Sequence, residues 1–271
     1  MRLMKPDRIE RAHLRDPRDL SHTMHRYHPT ADLAGLVQRF WIPVWSVHPG
    51  REAVQRVLQY PCALLVVTPD YARFYGVASG LSTTTLTGDG WAVGVMCEPA
   101  GGWLIAGRSM VEFRDRFVDL ADVLDEAAAV VRDVRAAMTS PRRADSHAAA
   151  TAWMSDVLRR FLPVDDEGRL VNEVVAFVEQ HPDVVRVTQV GERFGLTERA
   201  LQRLVRRRVG LSPKWLIQRR RLQEAAVRLR DRPAPLAEVA ADLGYADQPH
   251  FTRDFRSVTG MTPGEFAARY S

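Results

Sequence analysis

An arginine on a short helix is the side chain best suited to reading guanine, because its guanidinium fork can bond O6 and N7 together. Two arginines of this chain occupy the same place in a duplicated pattern. Leu201-x-Arg203-x-Val205 is followed by Gly210-x-Ser212-Pro213, and Phe251-x-Arg253-x-Phe255 by Gly260-x-Thr262-Pro263, with equal arginine-to-glycine spacing. A matching amphipathic stretch precedes each copy: Val187, Val190, Gly191, Phe194 and Gly195 in the first, Leu236, Val239, Ala240, Leu243 and Gly244 in the second. Two copies of helix, glycine turn and helix present two arginine-bearing helices from one chain. A monomer built this way can read two successive stretches of a DNA groove.

The elements that must position these arginines can be read around them. A helix from about Thr188 ends at Gly195, where a left-handed turn favours glycine, and Thr197 caps the next helix. In the second copy Gly244 makes the turn and Asp247 is the cap, with Pro249 in the first helical turn, where a missing N–H costs little. Leu201, Leu204 and Val205, and likewise Phe251 and Phe255, face a local core, which leaves Arg203 and Arg253 projecting outward. Between the copies Pro213 to Asp231 forms a helix of about 19 residues, roughly 28 Å long against the roughly 34 Å of one DNA turn. A rigid spacer of that length predicts a site of about two turns per monomer. An exposed helical arginine is ordinarily a solvated surface charge; the repeat is what singles these out. Arg206-Arg207-Arg208 and Arg219-Arg220-Arg221 cannot all face one way, since neighbours differ by about 100° around a helix. Arg206, Arg207, Arg219 and Arg220 are the expected phosphate contacts.

Residues from about 170 to 271 resemble the C-terminal DNA-binding domain of AraC/XylS-type transcriptional regulators. The resemblance rests on Gly244-Tyr245, Phe251-x-Arg253-x-Phe255, Thr259-Gly260-Met261-Thr262-Pro263-Gly264-Glu265-Phe266 and Tyr270. It implies seven helices, two helix-turn-helix units and base contacts from both recognition helices. Carried over by position, the base readers are Arg199, Gln202 and Arg203 in the first unit and Gln248, His250 and Arg253 in the second, where Gln can take adenine through N6 and N7. Pro249 stands where a polar residue is often found and offers only an apolar contact. Val205 is smaller than the usual aromatic residue.

Composition sets the frame. The chain of 271 residues is 46% hydrophobic and carries a formal charge of +5, enough length and apolar content for two cored domains. From Leu170 onward about 17 Lys plus Arg stand against about 12 Asp plus Glu, so the basic excess belongs to the repeat region. A basic domain joined to a neutral one suits a polyanion binder with a sensing or assembly module. Cys62 and Cys97 are the only cysteines, which excludes a disulfide framework and a four-cysteine zinc site. The first twenty residues hold no apolar run like a signal peptide and no stretch approaches the roughly 20 apolar residues that span a bilayer, so a cytoplasmic protein with no membrane partner is expected. Residues 1–20 read as a mobile arm.

Residues 21–163 read as an effector or dimerisation domain, 164–169 as a linker and 170–271 as the DNA-binding domain, an α+β chain with an antiparallel β barrel first and an all-α module last. Candidate strands are Val54 to Leu58, Cys62 to Val67, Arg73 to Val77, Ser82 to Leu86 and Trp91 to Met96, separated by Pro, Gly, Ser and Asp turns. Beyond about 107, Val118, Leu120, Val123, Leu124, Ala127, Ala128, Val131 and Val134 recur at helical spacing, and Ala148 to Phe161 gives another helix. Tyr27-x-Pro29, Leu33, Leu36-Val37, Phe40-Trp41, Val93-Gly94-Val95 and Pro99 resemble the β-rich effector domains that precede such DNA-binding modules, which implies a cupin-like or related barrel with ligand inside it and subunit contact through the following helices.

The N-terminal domain leaves alternatives open. Trp41, Trp45, Trp91 and Trp103 could line a pocket for an aromatic or largely apolar small molecule, or fill a barrel that serves only dimerisation. The helices from about Leu120 to Val134 and Ala148 to Phe161 could pair with a second subunit or pack on their own barrel. A metal-dependent cupin enzyme needs a close His-x-His pair with a carboxylate and a further His on adjacent strands; the only histidine cluster here is His22-x-x-His25-x-x-His28, ahead of the expected barrel. Cys62 and Cys97 read as small core residues rather than redox sensors. With no nucleophile, base and metal constellation, neither catalytic residues nor a cofactor are expected, which weighs against an enzyme merely located on DNA. The expected partners are double-stranded DNA, a small-molecule effector, a second copy of the chain and, for an activator, RNA polymerase.

Overall fold

The computed structural model describes residues 14, 19–58, 60–231 and 235–270. Most of the expected arm over 1–20 lies outside them. In the N-terminal half nine strands alternate with turns: β1 (His22–Tyr27), β2 (Val37–Ser46), β3 (Ala53–Leu58), β4 (Leu64–Val67), β5 (Ala72–Tyr75), β6 (Leu81–Leu86), β7 (Asp89–Trp91), β8 (Val93–Cys97) and, after helix α1 (Gly101–Ala106), β9 (Phe117–Asp119). Helices α2 (Ala127–Ala137) and α3 (Ala144–Leu158) follow. The large sheet runs β1-β2-β8-β4-β5-β9, with β7 also on β2, and every pair is antiparallel. Strands β3 and β6 pair with each other along all six residues and form a separate two-stranded ribbon. The expected cupin-like barrel is thus an open seven-stranded sheet facing a ribbon. No ladder among the described residues joins the ribbon to the sheet and closes it.

Period-two alternation gives the sheet two different faces. Phe40, Ile42 and Val44 of β2, Leu65 and Val67 of β4, Phe74 of β5, and Trp91, Val93, Val95 and Cys97 of β7 and β8 are buried in one core with Ala127, Val130 and Val134 of α2 and Ala150, Met154 and Val157 of α3. The opposite face carries Leu64, Val66, Ala92 and Met96 with Trp41, Trp45, Tyr71 and Tyr75 packed beside them. The helix expected from residue 118 starts only at Ala127, because Val118 is drawn into β9 opposite Phe74 and Leu120–Asp122 forms a 3-10 turn. Leu120 and Leu124 are buried as their spacing suggested, in irregular chain.

Seven helices make up the C-terminal half of the described chain: α4 (Asp166–Gln180), α5 (Val187–Phe194), α6 (Glu198–Val209), α7 (Pro213–Asp231), α8 (Leu236–Asp242), α9 (Gln248–Thr259) and α10 (Pro263–Tyr270). Asp165 caps α4 by accepting from Gly168 N at 2.9 Å, so the stretch expected as a linker is a helix start. The first core continues through the junction into α4, α5 and α6 and into Leu216 and Ile217 of α7. The second continues from the ribbon side of the sheet into Leu222, Ala225, Ala226 and Leu229 of α7 and then α8 to α10. Each helix-turn-helix unit therefore shares a core with a different face of one sheet.

Candidate functional site

Helices α6 and α9 are set by the local chemistry that their sequences carry. Gly195 closes α5 at φ 64°, and Thr197 Oγ1 then accepts from Ala200 N at 3.2 Å to start α6. Gly244 turns the chain after α8 at φ 73°, and Asp247 Oδ1 accepts from His250 N at 2.6 Å to start α9, with Pro249 in its first turn. A cap of this kind contributes about 1 kcal/mol and fixes where the helix begins. Leu201, Leu204 and Val205 pack inward from α6, and Phe251 and Phe255 from α9. Phe251, Phe255, Phe266 and Tyr270 form an edge-to-face and tilted ring series that holds α9 on α10.

The outward faces carry the expected readers. Arg199, Gln202 and Arg203 are exposed on α6, and Gln248 and Arg253 on α9. His250 is half-buried, edge-on to Tyr245, with Nε2 3.6 Å from Asp254. Exposed Arg206 adds to the α6 surface and Arg256 to that of α9, the latter a residue that the sequence reading passed over.

The other expected phosphate contacts are placed differently. Arg219 is 5% exposed, its guanidinium donating to the Leu58 carbonyl and lying 4.8 Å from the Tyr60 ring. Burial pulls it down to about 10, with Glu179 opposing. Arg220 is 8% exposed and donates to Val184 O at 2.8 Å. Arg207 is half-buried, paired with Glu167 beside Trp103. Arg219 and Arg220 are therefore turned into the protein, because α7 is covered on both sides, while Arg207 stays partly exposed and tied to Glu167 where α6 ends against the junction.

Arg208 is the fullest expression of that arrangement. It is 1% exposed, bonds Asp165 and, at 3.1 Å, Glu167, and lies 3.9 Å over Trp103 of α1. Burial alone would raise the Asp165 carboxyl, but the hydrogen bond and charge of Arg208 hold it below the ordinary range. Gly210 follows at φ 89°, and a Cβ there would stand 2.6 Å from Met110 O. The end of α6 thus fits directly onto the N-terminal domain. Nearby, a junction cavity of about 660 Å³ is lined by Glu98, Glu179, Arg39, Tyr60, Cys62 and Cys97, among others. Burial and the Glu179 charge push Glu98 up to about 7. Burial also raises both thiols, Cys97 to about 12, so neither is thiolate-like near neutrality.

The four tryptophans separate by parity. Trp41 and Trp45 alternate with Arg39 and Pro43 on β2 and line a cavity of about 210 Å³ between the sheet and the β3–β6 ribbon. They lie flat because their cross-strand partners are Gly94 and Gly90; a Cβ on either would come within 2.0 or 2.3 Å of an indole. Trp91 faces the helical core instead, and Trp103 sits under Arg208. The cavity also takes Met24, Tyr71, Tyr75 and Met96, which the sequence reading did not assemble. His22 faces this cavity from β1, whereas His25 faces the other way and meets His147 in a tilted contact, ring centroids 4.6 Å apart, so the histidine series is split between two faces. No helix of the described chain is long and apolar enough to cross a membrane.

Comparison with known proteins adds sequence relationships. A helix-turn-helix domain family matches residues 190–269, and a domain of unknown function (DUF6597) matches residues 25–119. Regulatory protein SoxS of Escherichia coli K12 is 31% identical over 102 residues, spanning 37% of this chain and 95% of SoxS. The HTH-type transcriptional activator RhaS of Escherichia fergusonii is 32% identical over 96 residues, 35% of this chain and 34% of RhaS. Among solved structures, a probable AraC family transcriptional regulator from Rhodopseudomonas palustris is 27% identical, covering 37% of this chain and 95% of its own, with a TM-score of 0.35.

Proposed function

The chain belongs to the AraC/XylS family of DNA-binding transcriptional regulators, and from that premise we propose that it activates transcription from an asymmetric operator read by α6 and α9. The observation that carries this reading is the pair of outward contact sets, Arg199-Gln202-Arg203 on α6 and Gln248-His250-Arg253 on α9, joined by the 19-residue helix α7. The sets differ, so one subunit reads a directional site about two turns long, and a palindrome takes a second subunit. Activation is favoured by the likeness to the transcriptional activator RhaS and implies contact with RNA polymerase. The cavity between sheet and ribbon is assigned to a small-molecule effector.

Selection of bound sequences from random DNA supplies the operator. On it, Arg203→Ala and Arg253→Ala should each cost about 1–3 kcal/mol and relax base preference at positions about one turn apart. Equal losses on operator and random DNA would remove the base-reading assignment. We assign subunit contact to the outer side of α3, where Trp153 is 45% exposed while the inner side packs on the sheet. Sedimentation of the full chain at micromolar concentration should give a dimer, and a strict monomer there would end that assignment.

A further inference from the structure

The arginine triplet in the middle of α7 sends its side chains to three different places. Arg219 reaches the Leu58 carbonyl of the ribbon, and Arg220 the Val184 carbonyl ahead of α5. Arg221 lies over the ring of Tyr245, 3.7 Å from its centre. Its Nε and Nη2 are buried with no hydrogen-bond partner among the described residues, so the face of the ring is what the guanidinium is set against.

Tyr245 stands in the turn between α8 and α9, next to Gly244, and is 6% exposed. Its hydroxyl is buried and bonds nothing among the described residues, so the residue is held through its ring. Arg221 covers that ring, Phe251 meets it in a tilted contact at 5.2 Å, and His250 meets it at 5.2 Å and nearly at right angles, 88°. The turn is also backed by the chain entering the first unit, since a Cβ on Gly244 would stand 3.3 Å from Val185 Cγ1.

His250 needs such a neighbour. Rotation of an imidazole about χ2 is broad rather than confined to staggered wells, so a backbone fixed by the Asp247 cap does not by itself aim the ring nitrogens. Asp254 stands 3.6 Å from Nε2, too far for a good hydrogen bond, and the His250 side chain is 45% exposed. The Tyr245 ring is therefore the packed surface that limits the imidazole, and Arg221 is what packs on Tyr245 from the neighbouring helix.

We propose that Arg221 is a positioning residue for DNA readout: stacked on Tyr245, it fixes that ring against His250 and so aims the imidazole at its base. The inference rests on His250 being a base reader. It makes part of the specificity of α9 a property of α7.

The test uses the full chain and the operator selected from random DNA, with every operator position substituted in turn. His250→Ala should flatten base preference at one position by about fivefold, which marks the base that His250 reads. Arg221→Met should flatten that same position by about threefold and leave the positions lost in Arg203→Ala within about twofold, which also reports a folded chain. Arg221→Lys returns a cation to the ring and should recover most of the preference, while Tyr245→Phe, which keeps the ring, should match wild type. Arg221→Gln, closer in polarity, supplies the same comparison if the methionine variant does not fold. In the free protein, the carbon-bound imidazole proton signal that vanishes in His250→Ala should shift in Arg221→Met, because the ring beside it has moved. Equal losses at every operator position, or an unmoved imidazole signal, would overturn the positioning role. A salt dependence flattened by about one counterion in Arg221→Met would overturn it as well, by making Arg221 a phosphate contact. If His250→Ala itself leaves every position unchanged, the reader assignment fails and the inference falls with it; loss in His250→Ala without loss in Arg221→Met overturns the inference alone.

Discussion

Replacing Arg208 should cost the chain more stability than any substitution on the outward faces of α6 and α9. Its charged hydrogen bonds to Asp165 and Glu167 contribute about 1.5–3 kcal/mol net, and the stacked guanidinium over Trp103 up to about 2 kcal/mol more. Two features lower that total. The carboxylates of Asp165 and Glu167 are 43% and 48% exposed and regain water when the arginine leaves, and Arg208 Nε and Nη1 are buried without acceptors among the described residues. The balance falls at the lower end of the range for a broken buried pair, about 3 kcal/mol for Arg208→Ala. In a chain of this size that corresponds to roughly 6–12 °C in Tm. Arg208→Met keeps apolar volume over Trp103 and should lose about half as much. Because the first core is continuous from the sheet into α6, urea denaturation followed by circular dichroism should report the loss directly. The Asp165 carboxyl is depressed in the folded state, so its contribution is present above the unfolded value near 3.9 and disappears as pH falls through the folded one. The gap between wild type and Arg208→Ala should accordingly narrow below about pH 4. A variant within about 0.5 kcal/mol of wild type at pH 7, or a gap of equal size at pH 3, refutes the bridge as drawn.

Two further outcomes follow from the placement of charge. Arg206→Ala should flatten the dependence of log Kd on log salt by about one counterion, whereas Arg219→Met should leave that slope unchanged and lower Tm; equal slope changes would mean that α7 also meets phosphate. Glu98 is raised to about 7 in the folded state, so stability is full below its unfolded pKa near 4.5 and is lost as pH rises through 7. Glu98→Gln should therefore gain in Tm over wild type between pH 5 and pH 8, and a constant difference across that range would place the perturbation elsewhere.

The DNA-facing half was legible in residues because its signals are local. Thr197 and Asp247 as caps, Gly195 and Gly244 as turns, and the 213–231 helix all depend on chemistry within a few positions. The fate of Arg219 and Arg220 depends instead on what lies on the far side of α7. A trace of it was present: Leu216, Ile217, Leu222, Ala225, Ala226 and Leu229 do not keep to one stripe, as a helix covered on more than one side requires. Strand parity would likewise have sorted Trp91 from Trp41 and Trp45, since residues 91, 93, 95 and 97 share a face. The open sheet was not readable, because whether β3 and β6 join their neighbours is decided by ladders between segments far apart in sequence. Nor was β9, a three-residue strand hidden inside a run at helical spacing.

The acceptors by which the N-terminal half holds α7 are the carbonyl oxygens of Leu58 and Ser79. A main-chain carbonyl persists whatever side chain stands at its residue. The inward positions on β2, β3, β6 and β8 are consequently free to drift, changing the shape and polarity of the cavity while the attachment between the halves stays in place. Descendants of such a chain can acquire a new chemical preference without having to reinvent the joint through which the two halves are held.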